Sequence, residues 1–260
     1  MGGRGRIAPK SSIVCVHGAF HELWGPHQIA ARWIPALRDG LHLAGTDIDP
    51  DDVTVAFYGD LFRLEAGNEP TADELHALAA RTGILDAATR VGGPDALAGM
   101  AALVGQEQVD RTVEQLGRYL DEASLRDTVR RRIRQAIGPD TRVVVAHSLG
   151  TLATYEALVH DATLPAVDLV TFGAVLGRPI VASGAIRPAL TDGRGTWPPI
   201  VRAWTNVTAV GDMVADGFPL APVSAPSSST ASTTATGPMT PSRTCAPVPP
   251  AWRSPPGSPP

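Results

Sequence analysis

The hydrophobic positions of this chain form short apolar runs that alternate with longer segments of helical spacing. Runs of strand length occur at residues 13–16, 53–58, 143–145, 167–172 and 201–207. Between several of these runs, apolar residues recur every three or four positions, which is the spacing of an amphipathic helix. Strands that alternate with helices predict an α/β fold, with a mostly parallel central sheet flanked by helices.

The first predicted helix spans residues 28–37, where four apolar side chains fall at helical spacing. Gly40 follows as a stop signal, and Pro35 is expected to kink the helix. Helical spacing returns between residues 60 and 138, and we expect part of this segment to form a cap. Four arginines of its last helix complement the carboxyl end and are expected to face solvent, namely Arg130, Arg131, Arg132 and Arg134.

Residues 143–159 combine a β-branched run, the turn sequence A-H-S-L-G and a helical apolar pattern. Such a sharp turn from strand to helix would expose the hydroxyl of Ser148 and set it beside the amino end of a helix. This geometry is typical of a nucleophile in acyl transfer. The alternative is a structural serine that caps the helix.

Composition and charge argue against nucleic acid and membrane as binding partners. The formal net charge is −4 and the isoelectric point is about 6.0, so no global attraction to nucleic acid is expected. No long apolar stretch follows the basic first ten residues, so we predict no membrane span and a cytoplasmic protein. Cys15 lies in an apolar run and is expected in the core, while Cys245 lies in an unusual tail.

With the loop sequence H-G-A-F at 17–20 and the turn A-H-S-L-G at 146–150, the chain resembles the α/β-hydrolase superfamily, serine esterases and lipases in particular. Further matches follow in chain order, in the strand segment at 169–173 and in V-G-D-M-V-A-D at 210–216. The resemblance covers roughly residues 11–216 and implies that family's fold, with no cofactor. One departure is Ala146, which stands where the motif G-x-S-x-G has its first glycine.

The resemblance also implies roles for individual residues. Ser148 would attack the acyl carbon, and the N–H groups of Ala19 and Leu149 would bind the oxyanion. Asp212 would be the acid that orients a catalytic histidine, in preference to Asp216. The alternative for Asp212 is a turn aspartate that bonds its own backbone.

The histidine expected after the acid is missing. The seven histidines of the sequence all precede Asp212, and the last of them is His160. His147 is a poor base for Ser148 because neighbours at the end of a strand project differently. His17 is expected to brace the oxyanion loop instead. The spacing of His17, His21 and His27 fits no zinc signature, and we predict no metal.

The composition of the C-terminal segment offers an explanation for this absence. Residues 221–260 include eleven prolines and eight serines but no Asp, Glu, Lys, Leu or His, so we expect a disordered tail after a single domain at 11–220 and a flexible 1–10. A second hypothesis is a shift of the reading frame near Leu220 to Ser224. Shifted codons across 238–240 read NAT-GAC, which encodes His-Asp when the proline codon ends in C.

These observations favour a serine hydrolase that acts on a carboxylic ester or related small-molecule acyl substrate, impaired because its base is missing. Two alternatives stay open: a non-catalytic protein that uses the same scaffold for binding, and an acyltransferase with the same nucleophile. The sequence defines neither the substrate nor the oligomeric state.

Overall fold

The computed structural model describes residues 12–85, 88–89, 93–176, 186–189, 195–209 and 230–236. Its strands are β1 (Ile13–Val16), β2 (Val53–Ala56), β3 (Val143–His147), β4 (Val167–Phe172), β5 (Val201–Ala209) and β6 (Thr230–Thr236). They form one sheet in the order β2-β1-β3-β4-β5-β6, and every pairing is parallel. The first five strands lie where the apolar runs predicted them, so the α/β fold is confirmed.

The helices are α1 (Pro26–Leu43), α2 (Ala72–Arg81), α3 (Ala96–Val104), α4 (Gln106–Asp121), α5 (Ala123–Ala136) and α6 (Leu149–Val159). The prediction for α1 was too short, because the helix includes Pro35 and continues past Gly40. Gly40 is a stop signal only when its left-handed conformation ends the helix, and here it keeps helical geometry. Within the described residues, no helix is long and apolar enough to span a bilayer.

The main core lies between the sheet and helices α4, α5 and α6. Val14 and Val16 of β1 and Ala146 of β3 belong to it, together with apolar side chains from all three helices. Cys15 is also fully buried, as predicted, and burial raises the pKa of its thiol to about 12. Helix α5 contacts both β2 and α6, so this part of the segment predicted to include a cap flanks the sheet.

The four arginines of α5 depart from the prediction that they face solvent. Arg132 forms a bidentate ion pair with Asp60, and Arg130 pairs with Asp127 one turn before it. Arg134 lies 3.8 Å from the carboxylate of Asp161. Only Arg131 is exposed and lacks a carboxylate partner among the described residues. Helical spacing carries no information about carboxylates on neighbouring elements, which is why these pairs were not predicted.

A buried ion pair joins α5 to α6. Glu156 is fully buried and accepts hydrogen bonds from the Arg126 guanidinium and, at 2.8 Å, from the Tyr119 hydroxyl. The backbone N–H of Arg187 donates to the same carboxylate at 2.9 Å. The described part of the long connection before β5 is therefore attached to the core at Glu156. Residues 177–185 and 190–194 of this connection lie outside the described residues.

Strand β6 departs from the disordered tail predicted for residues 221–260. Residues 230–236 pair in parallel with β5, with Ala203 opposite Thr230 and Ala209 opposite Thr236. The prediction rested on an excess of proline and serine, but these seven residues contain only Thr, Ala and Ser. Threonine is common in strands, and the exposed edge of β5 supplies the hydrogen-bonding partners. The rest of the predicted tail lies outside the described residues.

Candidate functional site

Ser148 occupies a sharp turn between β3 and α6. Its backbone has φ 51° and ψ −127°, a conformation that L side chains rarely adopt. Such a conformation costs about 1–3 kcal/mol and persists only where its surroundings enforce it. Here the Ser148 N–H donates to the carbonyl of Phe172 at 3.2 Å, and its carbonyl accepts from the N–H and hydroxyl of Thr151 at 2.8 and 2.7 Å.

Two glycines allow the turn to approach the loop after β1. A Cβ at Gly18 would lie 2.7 Å from Cβ of Ser148, and a Cβ at Gly150 would lie 2.4 Å from the carbonyl oxygen of His17. Neither contact is possible for a residue with a side chain. The loop at His17 and Gly18 is therefore in close contact with the turn at Ser148 and Gly150.

Ala146 meets the condition under which alanine can replace the first glycine of the motif. It lies within β3, is fully buried, and stands in register with Val16 on one side and Thr171 on the other. Strand geometry places it in the extended region, away from positive φ. The methyl group therefore replaces a hydrogen without backbone strain.

Thr151 links the serine turn to the loop after β4. Its hydroxyl donates to the carbonyl of Ser148 and accepts from the N–H of Val175 at 3.3 Å. Thr151 itself is fully buried. The loop that follows β4 is in this way fixed against the first turn of α6.

His17 braces the loop after β1, as the sequence predicted. Its Nδ1–H donates to the carbonyl of Gly18 at 2.8 Å, and its Nε2 accepts from the N–H of Tyr58 at 3.1 Å. The Tyr58 hydroxyl donates to the carbonyl of His17 in turn. Burial lowers the pKa of His17 to about 3, with repulsion from His21 as the second cause, so the ring is neutral at physiological pH.

His21 holds the next peptide of this loop. Its Nδ1–H donates to the carbonyl of Ala19 at 2.7 Å, and the pKa of His21 is lowered, chiefly by burial. The rings of His17 and His21 lie 4.9 Å apart. Both imidazoles therefore act as donors to loop carbonyls.

The same hydrogen bonds set the direction of the Ala19 N–H. The C=O and N–H of one trans peptide point in opposite directions, so a Gly18 carbonyl held by His17 turns the Ala19 N–H away from the imidazole rings. Within the described residues, neither the Ala19 N–H nor the Leu149 N–H has a hydrogen-bond acceptor. The Leu149 N–H lies at the amino end of α6, a position at which helices bind anions.

His147 belongs to an aromatic cluster at the carboxyl ends of β3 and β4. Its ring stacks on Phe172 with centroids 4.6 Å apart, and the ring of Trp33 from α1 lies at a steep angle to it, with centroids 6.4 Å apart. This stacking gives the imidazole a packing role. The sequence-based view that His147 is a poor base for Ser148 stays a prediction.

A polar network that sequence analysis missed ties the loop to α4. Gln115 accepts from the N–H of Phe20 at 3.2 Å and donates to the carboxylate of Glu22 at 2.9 Å. Arg111 pairs with the other oxygen of that carboxylate at 2.7 Å, and Arg63 donates to the carbonyl of Glu22 at 2.6 Å. The available signal was a glutamine within the apolar stripe of α4, but its partner is 95 residues away along the chain.

The acid predicted from the sequence is not described. Asp212, like the alternative Asp216 and the tail cysteine Cys245, lies outside the described residues. Strand β5 ends at Ala209, three positions before Asp212. Among the described side chains, no group of three His, Cys, Asp or Glu is placed to hold a metal ion.

A cavity in the described part of the chain lies away from the serine turn. It has a volume of about 630 Å³, is open to solvent, and lies between the loop at 64–70, α2 and α4. Glu114 and Arg118 line it, and the two side chains form an ion pair of 2.9 Å. Neither Ser148 nor Ala19 contributes to its walls, so it gives no information about an acyl substrate.

Comparisons with known proteins do not assign the chain to a family. No protein-family model matches the chain, and a search of curated proteins found no match.

Proposed function

We propose that the chain is a serine hydrolase of the α/β-hydrolase superfamily, in which Ser148 attacks the carbonyl carbon of a carboxylic ester. The observation that carries this proposal is the backbone of Ser148, with φ 51° and ψ −127° at a turn from strand to helix. A helix-capping serine needs no such conformation, whereas a nucleophile on a strained turn is exposed at the top of the sheet.

The surrounding groups support roles in the same reaction. The N–H groups of Ala19 and Leu149 are available to bind the negative charge that develops on the carbonyl oxygen. Asp212 follows the carboxyl end of β5, and the carboxyl ends of parallel strands meet at the edge that carries Ser148. In our proposal its carboxylate orients a base that accepts the Ser148 proton.

The sequence supplies no histidine for that base after His160. Both His17 and His21 donate to loop carbonyls, so we assign neither of them this role. We therefore propose that the acyl-transfer machinery lacks its general base. The rate of such enzymes falls about 10⁴-fold or more when one triad member is lost.

A fluorophosphonate probe tests the nucleophile, with added imidazole as an external base. We expect slow labelling of the full chain that imidazole accelerates, mapped to Ser148 by peptide mass spectrometry. Ser148→Ala should abolish it, whereas Ser124→Ala, which alters an exposed serine of α5, should not. Equal labelling of Ser148→Ala and the unmodified chain would refute the nucleophile. Fast labelling without imidazole would refute the missing base.

The composition of residues 221–260 and the codons at 238–240 are the grounds on which we also propose a shifted reading frame. Strand β6 ends at Thr236, and the shifted NAT-GAC codons fall across residues 238–240, just beyond its carboxyl end. A histidine encoded there would follow Asp212 along the chain, in the order that the resemblance to the α/β-hydrolase superfamily implies. A chain expressed in the shifted frame from Leu220 onward should hydrolyse p-nitrophenyl esters about 10⁴-fold faster than the present chain. An unchanged rate, or an intact frame in the genomic DNA of independent isolates, would exclude the shift.

The missing histidine also favours a second candidate function, a non-catalytic binding protein. Such a protein keeps the scaffold and uses its pocket for a ligand without turnover. In that case Ser148 should resist the fluorophosphonate probe with and without imidazole. The same labelling experiment therefore separates the two candidates.

A further inference from the structure

Helix α4 holds the loop that carries the Ala19 N–H through the side chain of Gln115. Gln115 of α4 is 3% exposed, and its Oε1 accepts from the N–H of Phe20 at 3.2 Å. Its Nε2 donates to Glu22 at 2.9 Å, so one side chain bonds two positions of the loop. A buried amide whose two ends are both satisfied is fixed in orientation.

Glu22 adds further contacts between the loop and α4, and we call the contacts made by Gln115, Glu22 and Arg111 the clamp. One carboxylate oxygen binds Gln115 and the other binds Arg111, which stands one helical turn before Gln115 on α4. Arg63 donates to the Glu22 carbonyl at 2.6 Å. The segment from Phe20 to Glu22 therefore has the same helix as partner at both of its ends.

The clamp acts where the loop backbone is unfavourable. Phe20 has φ 67°, the left-handed region that a bulky side chain avoids unless its surroundings hold it there. The peptide between Ala19 and Phe20 is bonded at both of its polar groups, since its carbonyl accepts from His21 and its N–H donates to Gln115. Without Gln115, one of these two restraints is lost and rotation about the Phe20 N–Cα bond reorients this peptide.

We propose that Gln115 is a positioning residue for the oxyanion site, because it holds the peptide adjacent to the Ala19 donor in its strained conformation. This inference rests on the proposed serine hydrolase function. Gln115 acts through Phe20 and has no contact with substrate in this proposal. Helix α4 thereby controls how well a negative charge is bound beside Ser148.

The test compares Gln115→Leu with Gln106→Leu, which alters an exposed glutamine of the same helix. The full chain is labelled with a fluorophosphonate in the presence of imidazole, and the inactivation rate constant and probe affinity are measured separately. A donor displaced by about 1 Å costs about 10- to 100-fold in rate. We expect this loss in the rate constant for Gln115→Leu, with little change in affinity and no change for Gln106→Leu.

Hydrogen exchange of the same variants gives a readout that needs no reaction. We expect the Phe20 amide to exchange faster in Gln115→Leu while the amides of α4 keep their protection. When Phe20→Asn is also present, the effect of Gln115→Leu on labelling should shrink, because asparagine tolerates positive φ. An unfolded Gln115→Leu would lose protection throughout α4, and Gln115→Met, which keeps the length of the side chain but removes its amide, would then replace it and should show the same loss in rate.

The positioning role of Gln115 and the proposed hydrolase function can fail separately in these experiments. No labelling of Ser148 in the unmodified chain would refute the proposed function. Labelling of the unmodified chain with an unchanged rate constant in Gln115→Leu would overturn the positioning role alone. Equal effects of Gln115→Leu with and without the Phe20→Asn substitution would also overturn it, because strain at this position would then be irrelevant.

Discussion

The loop after β1 and the connection before β5 are attached to the molecule by different forces. The loop is held by neutral histidines that donate to its carbonyls and by glycines at Gly18 and Gly150 that allow close contact. The connection is attached through the buried carboxylate of Glu156, which is paired with Arg126. The attachment of the loop should therefore respond to protonation of histidines and to added side-chain volume. The attachment of the connection should respond to loss of the Glu156 charge.

Removal of Glu156 should have the largest effect on stability. Glu156→Ala leaves the guanidinium of Arg126, the hydroxyl of Tyr119 and the N–H of Arg187 without their common acceptor. Breaking a buried ion pair by removal of one partner costs about 3–5 kcal/mol. Urea unfolding at pH 7 measures this loss as a shift of the midpoint.

The control for this prediction is Glu107→Ala. The Glu107 side chain is 78% exposed and lies 3.1 Å from Arg111 one turn away, so its removal should cost less than about 0.5 kcal/mol. A loss below about 1 kcal/mol for Glu156→Ala would contradict a role for the buried pair in anchoring the connection, because that is the range of exposed pairs.

An added methyl group at Gly150 should lower the free energy of unfolding by an intermediate amount. This substitution tests the attachment of the loop after β1. In Gly150→Ala the new Cβ would meet the carbonyl oxygens of His17 and Val16 at 2.4 and 2.8 Å. Both are backbone atoms, so no rotamer change relieves the contact, and overpacking of this kind costs about 1–3 kcal/mol. Urea unfolding should show this loss, and labelling of Ser148 should slow with it.

Gly40→Ala is the matched control. Gly40 lies in α1, and a Cβ there would meet nothing within 4 Å. Alanine should therefore stabilise the protein by about 0.5–1 kcal/mol, because it restricts the unfolded chain. Destabilisation of similar size at both positions would mean that the contact with the His17 carbonyl is not the cause.

Local signals in the sequence were sufficient for much of the fold and for one half of the candidate site. The apolar runs predicted the first five strands, and H-G-A-F and A-H-S-L-G indicated two loops that the structure brings together. The reason is that a parallel sheet places the carboxyl ends of β1 and β3 side by side. The close contact of Gly18 with Ser148 follows from that register.

The parts that sequence analysis missed depend on partners far apart in the chain. Gln115 and Phe20 are 95 residues apart, and Arg132 and Asp60 are 72 residues apart. Hydrophobic periodicity indicates which helix face is buried, but not which polar group lies across the interface. Strand β6 was missed for a related reason, because its threonines gain their partners only from the edge of β5.

The burial of neutral His17 should make the folded protein less stable as the pH falls. Burial lowers its pKa from 6.5 to about 3 in the folded protein, whereas in the unfolded chain it keeps the ordinary value. Below pH 6.5 the unfolded chain therefore binds a proton that the folded protein does not. Stability present above pH 6.5 is then lost at up to about 1.4 kcal/mol per pH unit, or about 2 kcal/mol by pH 5.

Urea unfolding at intervals between pH 7 and pH 5 measures this slope, and His17→Asn should flatten it. His27→Asn alters an exposed histidine of α1 and should show the same dependence of stability on pH as the unmodified protein. The pKa of His21 is also lowered by burial, so part of the slope should persist in His17→Asn and vanish when both histidines are replaced. Equal slopes in all these variants would show that the loop histidines are not what couples stability to protons. The loop after β1 would then depend on its glycine contacts and on Gln115, and acidification would leave its attachment intact.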